Sequence, residues 1–301
     1  MAQLIVAVNP TAGGGRAAEA GERATDRLRA AGHAVVTLEA RDAAALERQL
    51  RARIERDRPA AVIAVGGDGT VHLAVNALAR SGVALGIVPV GTGNDFARCL
   101  GLPEDPDDAV TRILAALDGA EPAVRAIDAV RTSTGRWFGG MLSAGFDAAV
   151  TERANGMTRP RGRARYVVAV LLEVARLRAH RYRITIDRDA RQVDAVLVTV
   201  GNTTSIGGGM RLTPGASVDD GLLDVLVATP LSRRKLLRLL PKVFSGTHVT
   251  DEHVSIERGR VITIDVADRE PPTPVVYADG ERMGSLPVTL EVVPNALRVL
   301  I

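Results

Sequence analysis

The chain has 301 residues, 46% of them hydrophobic, with a formal net charge of +3 and a single cysteine. That length and apolar content can bury a substantial core and fit one large or two ordinary domains. The lone Cys99 excludes an internal disulfide or a multi-cysteine metal site, 3% aromatics without an arginine–aromatic platform give nucleic-acid binding little support, and no apolar run reaches the roughly 20 residues of a bilayer span. The start, MAQLIVAVNP, lacks the basic stretch and small-residue cleavage site of a signal peptide, so the expected location is the cytoplasm.

Residues 1–122 alternate apolar runs with helical patterns. Strands are expected at LIVAV (4–8), AVVTLEA (34–40), AAVIAV (60–65) and ALGIVPV (84–90). Between them lie a helix running toward Ala31 and ended by Gly32, and one from Asp42 in which Leu46, Leu50 and Ile54 recur every four residues before Pro59. Further helices are expected over about 70–80 and 107–117. Nearly continuous apolar strands joined by helices predict a parallel sheet covered on both faces, with ligands bound beyond the strand C-termini. From residue 123 the pattern becomes β-rich, with YRITID (182–187), AVLVTVGN (195–202), LLDVLVA (222–228), RVITIDVA (260–267) and LPVTLEVV (286–293), interrupted by helical segments over about 163–180 and 232–245.

Both interrupting helices are basic around apolar stripes, in RPRGRARYVVAVLLEVARLRAHRYR (159–183) and SRRKLLRLLPK (232–242). Such stripes usually face their own protein's core, and they also suit a surface that visits anionic lipid.

Three glycine-rich turns each leave an expected strand and enter a helix: AVNPTAGGGRA (7–17), GGDGT (66–70) and VGTGNDFAR (90–98). Glycines let backbone approach a ligand closely, and free N–H groups at a helix start favour phosphate. One such turn is weak evidence; three at neighbouring strand ends open on the same sheet edge and point to a polyphosphate site. Neither G-x-x-x-x-G-K-[ST] nor a strict G-x-G-x-x-G occurs, which excludes an ordinary P-loop or Rossmann enzyme. A carboxylate beside phosphates is repelled unless a cation lies between, so Asp68 is expected to partner nucleotide-bound Mg²⁺ directly or through water, with Asp95 sharing the task. Either aspartate alone reads as a helix cap; the surrounding glycines favour the metal role.

GGDGT preceded by AVIAV, VPVGTGNDFAR farther on and VNPTAGGG at the start together resemble the diacylglycerol kinase catalytic-domain family, which includes bacterial soluble lipid kinases and, more distantly, sphingosine and ceramide kinases. The resemblance continues in GNTTSIGGGMRLTPGASVDDGLLDVLV (201–227) and ADGERM (278–283), and so spans nearly the whole chain. It implies ATP-dependent phosphorylation of a lipid hydroxyl, diacylglycerol before other lipids. The implied fold is a phosphofructokinase- and NAD-kinase-like α/β domain (1–122, joined by a last strand at about 294–301) plus a β-sandwich-like lipid domain with a few helices (123–293). By matching positions it implies that Asn9, Gly13, Gly14, Gly15, Arg16, Gly66, Gly67, Asp68, Gly69, Thr70, Gly91, Thr92, Gly93, Asn94 and Asp95 hold the nucleotide. Asp279 and Glu281 match the acidic pair associated with accepting the substrate proton, either of them being the base. Ser217, Asp220 and Leu222 match a second, structural Mg²⁺ site. Without the resemblance, Asp279-Gly280 reads as a hairpin turn.

Two departures stand out. His72-Leu73 replaces the family's common Asn-Glu, and Arg16 stands where many members carry lysine. His72 reads as a partly buried helix residue rather than a catalyst. NAD kinase shares GGDGT but not GTGNDFAR, and a silent lipid- or nucleotide-binding protein has no need of Asp68, Asp95, Asp279 and Glu281 together. A lipid kinase must meet its substrate at a membrane, so the 163–180 segment, with Val167, Val170, Leu171, Val174 and Leu177 on one face, becomes a candidate for peripheral docking on anionic lipid. The sequence leaves a homodimer open.

Overall fold

The computed structural model describes residues 1–40, 42–119, 123–160, 163–267 and 273–301. The first part is built as β1 (Gln3–Val8), α1 (Arg16–Ala30), β2 (Ala34–Glu39), α2 (Ala43–Asp57), β3 (Ala61–Gly66), α3 (Asp68–Leu78), β4 (Ala84–Pro89), α4 (Asp95–Cys99) and α5 (Pro106–Leu117). The strands run parallel in the order β2-β1-β3-β4. β3 and β4 are buried at every position because helices cover both faces. Leu46, Leu50 and Ile54 of α2 pack on one side with Val62 and Leu85, while Ala17, Ala20, Ala24 and Leu28 of α1 pack on the other with Leu4, Val6 and Ile63. Asp42 caps α2 through the Ala44 N–H and Asp105 caps α5 through Asp107 and Asp108.

The remainder runs β5 (Val124–Thr132), β6 (Trp137–Phe138), β7 (Met141–Gly145), α6 (Phe146–Gly156), α7 (Arg163–Ala175), β8 (His180–Ile186), β9 (Asp189–Ala195), β10 (Leu197–Gly201), β11 (Leu223–Ala228), α8 (Arg233–Ser245), β12 (Val254–Gly259), β13 (Val261–Val266), β14 (Val275–Ala278), β15 (Glu281–Ser285) and β16 (Val288–Leu300). An antiparallel sheet ordered β12-β11-β10-β7-β14-β15 stacks on the β16-β13-β8 part of the first sheet. Their facing side chains, among them Leu142, Val198, Val225, Ile184 and Ile262, form one hydrophobic core.

The two parts share a strand. Sequence reading ends a strand at Val293 and returns a separate one; the chain instead makes a single β16, offset between Val293 and Leu297 where Asn295 adopts a left-handed φ of 55°. Its first half pairs with β13 and its second half runs parallel to β4. Buried Asp128 on β5 fixes that bend, accepting the Asn295 N–H at 2.9 Å and the Gly221 N–H at 2.8 Å.

The amphipathic reading of the basic helices needs one correction. Of the residues assigned to one face of α7, Val174 is buried and Val170 packs toward α6, whereas Val167 (59% exposed) and Leu171 (56%) turn to solvent beside Tyr166 and Leu172. α8 likewise buries Leu239 and Val243 and exposes Leu237 and Phe244, and it packs against α7. Arg233, Arg234, Arg238 and Lys242 are exposed on the same helix as Leu237 and Phe244. Arg161 and the Arg163 side chain lie outside the described residues. Among the described residues no helix is long and apolar enough to cross a membrane.

Candidate active site

The three glycine turns converge at the C-terminal ends of β1, β3 and β4, and their backbones touch. A Cβ on Gly13 would fall 2.3 Å from the Val90 carbonyl oxygen, and one on Gly91 would fall 2.7 Å from the Gly67 Cα. Gly91→Ala is therefore expected to lower unfolding stability by about 1–3 kcal/mol, the scale of overpacking. The check is a lower denaturant midpoint at unchanged slope. Gly13, Gly14 and Gly15 follow one another with φ of 60°, 73° and 98°, a left-handed run that aims successive N–H groups to one side, as anion-binding nests do. Arg16 closes this turn by donating from Nε to the Gly13 carbonyl at 3.0 Å. A groove of about 350 Å³ runs from here to the third turn, lined by Arg16, Glu19, Arg23, Val90, Gly91 and Asn94.

Several expected ligand residues spend polar atoms inside their own turns. Asn9 Oδ1 accepts the Thr11 N–H and hydroxyl, and Asn94, in a left-handed conformation, accepts from Gly91 N and donates to Gly91 O. Thr70 Oγ1 sits where a Cβ on Gly66 would lie, 2.2 Å away, so the β3–α3 turn closes only over glycine.

The acidic residues gather beside these turns. Asp68 opens α3, and one of its oxygens receives the Phe96 N–H at 3.4 Å. Burial foremost, then the charge of Asp95 and more weakly that of Asp279, raises its carboxyl above the usual carboxylate range. Asp95 is itself buried and clamped: its two oxygens accept the Gly208 and Gly209 N–H groups at 2.7 Å each, and Arg98 lies 3.3 Å away. It thereby ties the third turn to the glycine-rich loop of the second part.

Asp279 arrives from 207 residues beyond His72 yet faces it. Asp279-Gly280 is a two-residue hairpin between β14 and β15 with φ of 51° and 84°, as the turn reading expects. Its carboxylate accepts N–H groups from Gly139 (3.1 Å), Gly140 (3.1 Å) and Met141 (2.9 Å), with His72 Nδ1 at 3.4 Å. Exposed Glu281 brings Oε1 to 3.0 Å from where a Cβ on Gly69 would lie. The structure thus brings Asp68, Asp95, Asp279 and Glu281 to one crevice between the two parts.

A nucleotide-bound cation fits this donor set. Burial and the charges of Asp95 and Asp279 disfavour the Asp68 carboxylate, and a hard cation relieves that cost. No group of three or more His, Cys, Asp or Glu among the described residues is arranged to hold an ion alone, so water and phosphate oxygens would complete the coordination, as Mg²⁺ favours. Ser217, Asp220 and Leu222 fit an ion less well. Asp220 is paired with Arg258 and accepts the Leu222 N–H at 3.0 Å, while the Ser217 hydroxyl donates to Asp219, itself paired with Arg125 at 2.6 Å. A cation there has to displace the Arg258 guanidinium.

Sequence reasoning missed the Gly139–Met141 and Gly208–Gly209 N–H groups, Arg98, and the depth of His72, which is 4% exposed rather than partly buried. Paired glycines were the available signal for the first two.

Residues 3–124 match the diacylglycerol kinase catalytic domain, and residues 140–301 match the YegS C-terminal NAD kinase beta sandwich-like domain. A "Diacylglycerol kinase" of Mycobacterium tuberculosis is 39% identical, over 99% of this chain and 94% of its own. The chain belongs to the diacylglycerol kinase family. It is a kinase of that family, whose members take ATP and usually a divalent metal. A "Probable lipid kinase YegS-like" of Stenotrophomonas maltophilia is 32% identical over 79% of the chain and 77% of its own. A crystal structure titled as a putative diacylglycerol kinase from Bacillus anthracis superposes with a TM-score of 0.78 over 99% of this chain and 96% of that one, at 23% identity, which speaks to the family fold.

Proposed function

We propose that this kinase transfers the γ-phosphoryl group of ATP to the hydroxyl of diacylglycerol, giving phosphatidic acid and ADP. The observation that carries the reading is the meeting of three glycine turns with Asp68, Asp279 and Glu281 in one crevice. Asn9, Gly13 to Arg16, Gly66 to Thr70 and Gly91 to Asp95 would hold the nucleotide, their N–H groups and the Arg16 guanidinium facing its phosphates. Asp68 would hold nucleotide Mg²⁺, with Asp95 acting through water because glycine N–H groups already occupy both its oxygens. Bound Mg²⁺ neutralises charge on the transferring phosphoryl group. As the lipid oxygen bonds to phosphorus and the bond to the ADP oxygen breaks, the hydroxyl proton passes to Asp279 or Glu281. Residues 1–122 with the end of β16 would serve the nucleotide, and 123–293 the lipid.

Specificity is tested with labelled ATP and Mg²⁺ against mixed micelles of diacylglycerol, sphingosine, ceramide or phosphatidylglycerol, with NAD as a soluble control. The expected product is labelled phosphatidic acid. Label on another lipid changes the substrate, and label on NAD overturns the reading.

A structural Mg²⁺ at Ser217, Asp220 and Leu222 makes a separate prediction. Millimolar Mg²⁺ should raise the thermal midpoint of the wild-type protein and leave Asp220→Ala unmoved, by mass action on the folded state. Equal response in both removes the site.

Cytoplasmic location with peripheral membrane contact completes the reading, the lipid surface being met by the exposed apolar positions of α7 and α8 and the exposed basic residues of α8.

A further inference from the structure

We propose that His72 is a positioning residue for the Asp279 carboxylate, held in the neutral tautomer that carries its proton on Nδ1. The role deepens the kinase reading and rests on it; the tautomer does not. His72 lies on α3 one turn beyond Asp68, and the groups around its ring select its tautomer. Trp137 fixes Asn76 unambiguously, its N–H donating to Asn76 Oδ1 at 2.9 Å and its carbonyl accepting from Asn76 Nδ2 at 2.6 Å. The amide nitrogen that faces His72 Nε2 at 3.1 Å can therefore only donate, its two hydrogens shared with the Trp137 carbonyl and the His72 carbonyl at 3.0 Å. Arg136 Nη2, which can only donate, reaches the same ring nitrogen at 3.4 Å. Neither neighbour of Nε2 can accept a hydrogen bond, so Nε2 presents its lone pair, which leaves the proton of the neutral ring on Nδ1, facing Asp279 Oδ2.

The consequence concerns where Asp279 can point. Gly140 and Met141 N–H groups fill Oδ1 and Gly139 N–H takes one side of Oδ2, all three from the segment leading into β7. Only His72, among the side chains shown to contact it, reaches Asp279 from α3, the helix whose first residue is Asp68. It fixes the separation between the carboxylate that would hold the cation and Asp279, one of the two carboxylates proposed to take the hydroxyl proton. Proton transfer depends steeply on such placement, whereas ATP binding at the glycine turns does not.

The test has two arms. In ¹⁵N-histidine-labelled protein, with the His72 signals identified by their loss in His72→Asn, long-range ¹H–¹⁵N correlation should show Nδ1 protonated and Nε2 bare; the opposite tautomer overturns the proposal. In the lipid assay, His72→Leu should lower kcat about 10- to 100-fold, the scale of one hydrogen bond to a charged group, with KM for ATP within about twofold. His72→Asn, whose amide NH₂ falls near the Nδ1 position, should recover kcat to within about threefold of wild type, and His72→Gln, whose NH₂ falls near Nε2, should not. A His72→Asn variant as slow as His72→Leu at an unchanged unfolding midpoint, or a loss confined to KM, overturns the role. Should His72→Leu not fold, the Asn and Gln variants carry the comparison. A wild-type protein that phosphorylates no lipid sinks the kinase reading, and the ring spectrum then still decides the His72 arrangement.

Discussion

Asp68→Asn is expected to lower kcat/KM for lipid phosphorylation by about 10³-fold or more while raising the unfolding midpoint of the ligand-free protein at neutral pH. The first effect follows from losing the carboxylate proposed to hold the metal, since metal stabilisation of a transferring phosphoryl group is worth several kcal/mol, with each 1.36 kcal/mol a factor of about ten. The second follows from the raised pKa, caused by burial first and by Asp95 and Asp279 after it. A carboxyl whose folded pKa lies above its unfolded value binds protons more readily in the folded state, so ionising it at neutral pH costs stability. Asparagine has the shape without the charge. The gap between variant and wild type should be widest above the raised folded pKa and close as pH falls below the ordinary aspartate range, where both forms are neutral. Thermal melts of both proteins from neutral to acid pH check the sign. A variant less stable than wild type at neutral pH would remove the claim that Asp68 is strained for function.

Replacing Arg233, Arg234, Arg238 and Lys242 with glutamine should cut binding to phosphatidylserine vesicles by about 10³-fold. Each basic side chain near an anionic surface contributes about 1 kcal/mol, and four together approach that factor. These residues share α8 with exposed Leu237 and Phe244, and α8 packs against α7, which exposes Tyr166, Val167, Leu171 and Leu172; on the proposed reading charge would bring the protein to the surface and apolar side chains would enter it. Wild-type binding should weaken with salt, because the Debye length shrinks from about 10 Å at 0.1 M to about 3 Å at 1 M. Turnover of a short-chain, water-soluble diacylglycerol should be unchanged in the variant. Vesicle sedimentation indifferent to the four substitutions would mean that this face covers something other than lipid.

The parallel half of the fold was legible because β3, β4 and β1 from Leu4 onward lack polar side chains and α2 repeats leucine and isoleucine every four residues. Edge strand β9, DARQVDA, was not legible: most of its side chains are exposed, so no alternation marks it. Helix α6 was missed because its inward residues are Ala148, Val150 and Ala154, two of them too small to stand out as a stripe. In the site, the glycine turns could be read locally, since their backbones approach one another only where no side chain intervenes. What joins them could not. Asp95 meets Gly208 across 113 residues and Asp279 meets Gly140 across 139, pairings set by sheet topology rather than by any local pattern. The contact of His72 with Asp279 was not legible because a histidine on an apolar helix face looks alike whether its ring faces a core or a carboxylate.

The most direct test of the central claim is transfer of labelled phosphate from ATP to diacylglycerol by the purified protein with Mg²⁺, run beside Asp68→Asn and the double variant Asp279→Ala with Glu281→Ala at matched folded concentration. The account predicts labelled phosphatidic acid from the wild type alone, with both variants down by about 10²-fold or more, the scale of one general base or more. Undiminished transfer by either variant, or none by the wild type, would contradict it.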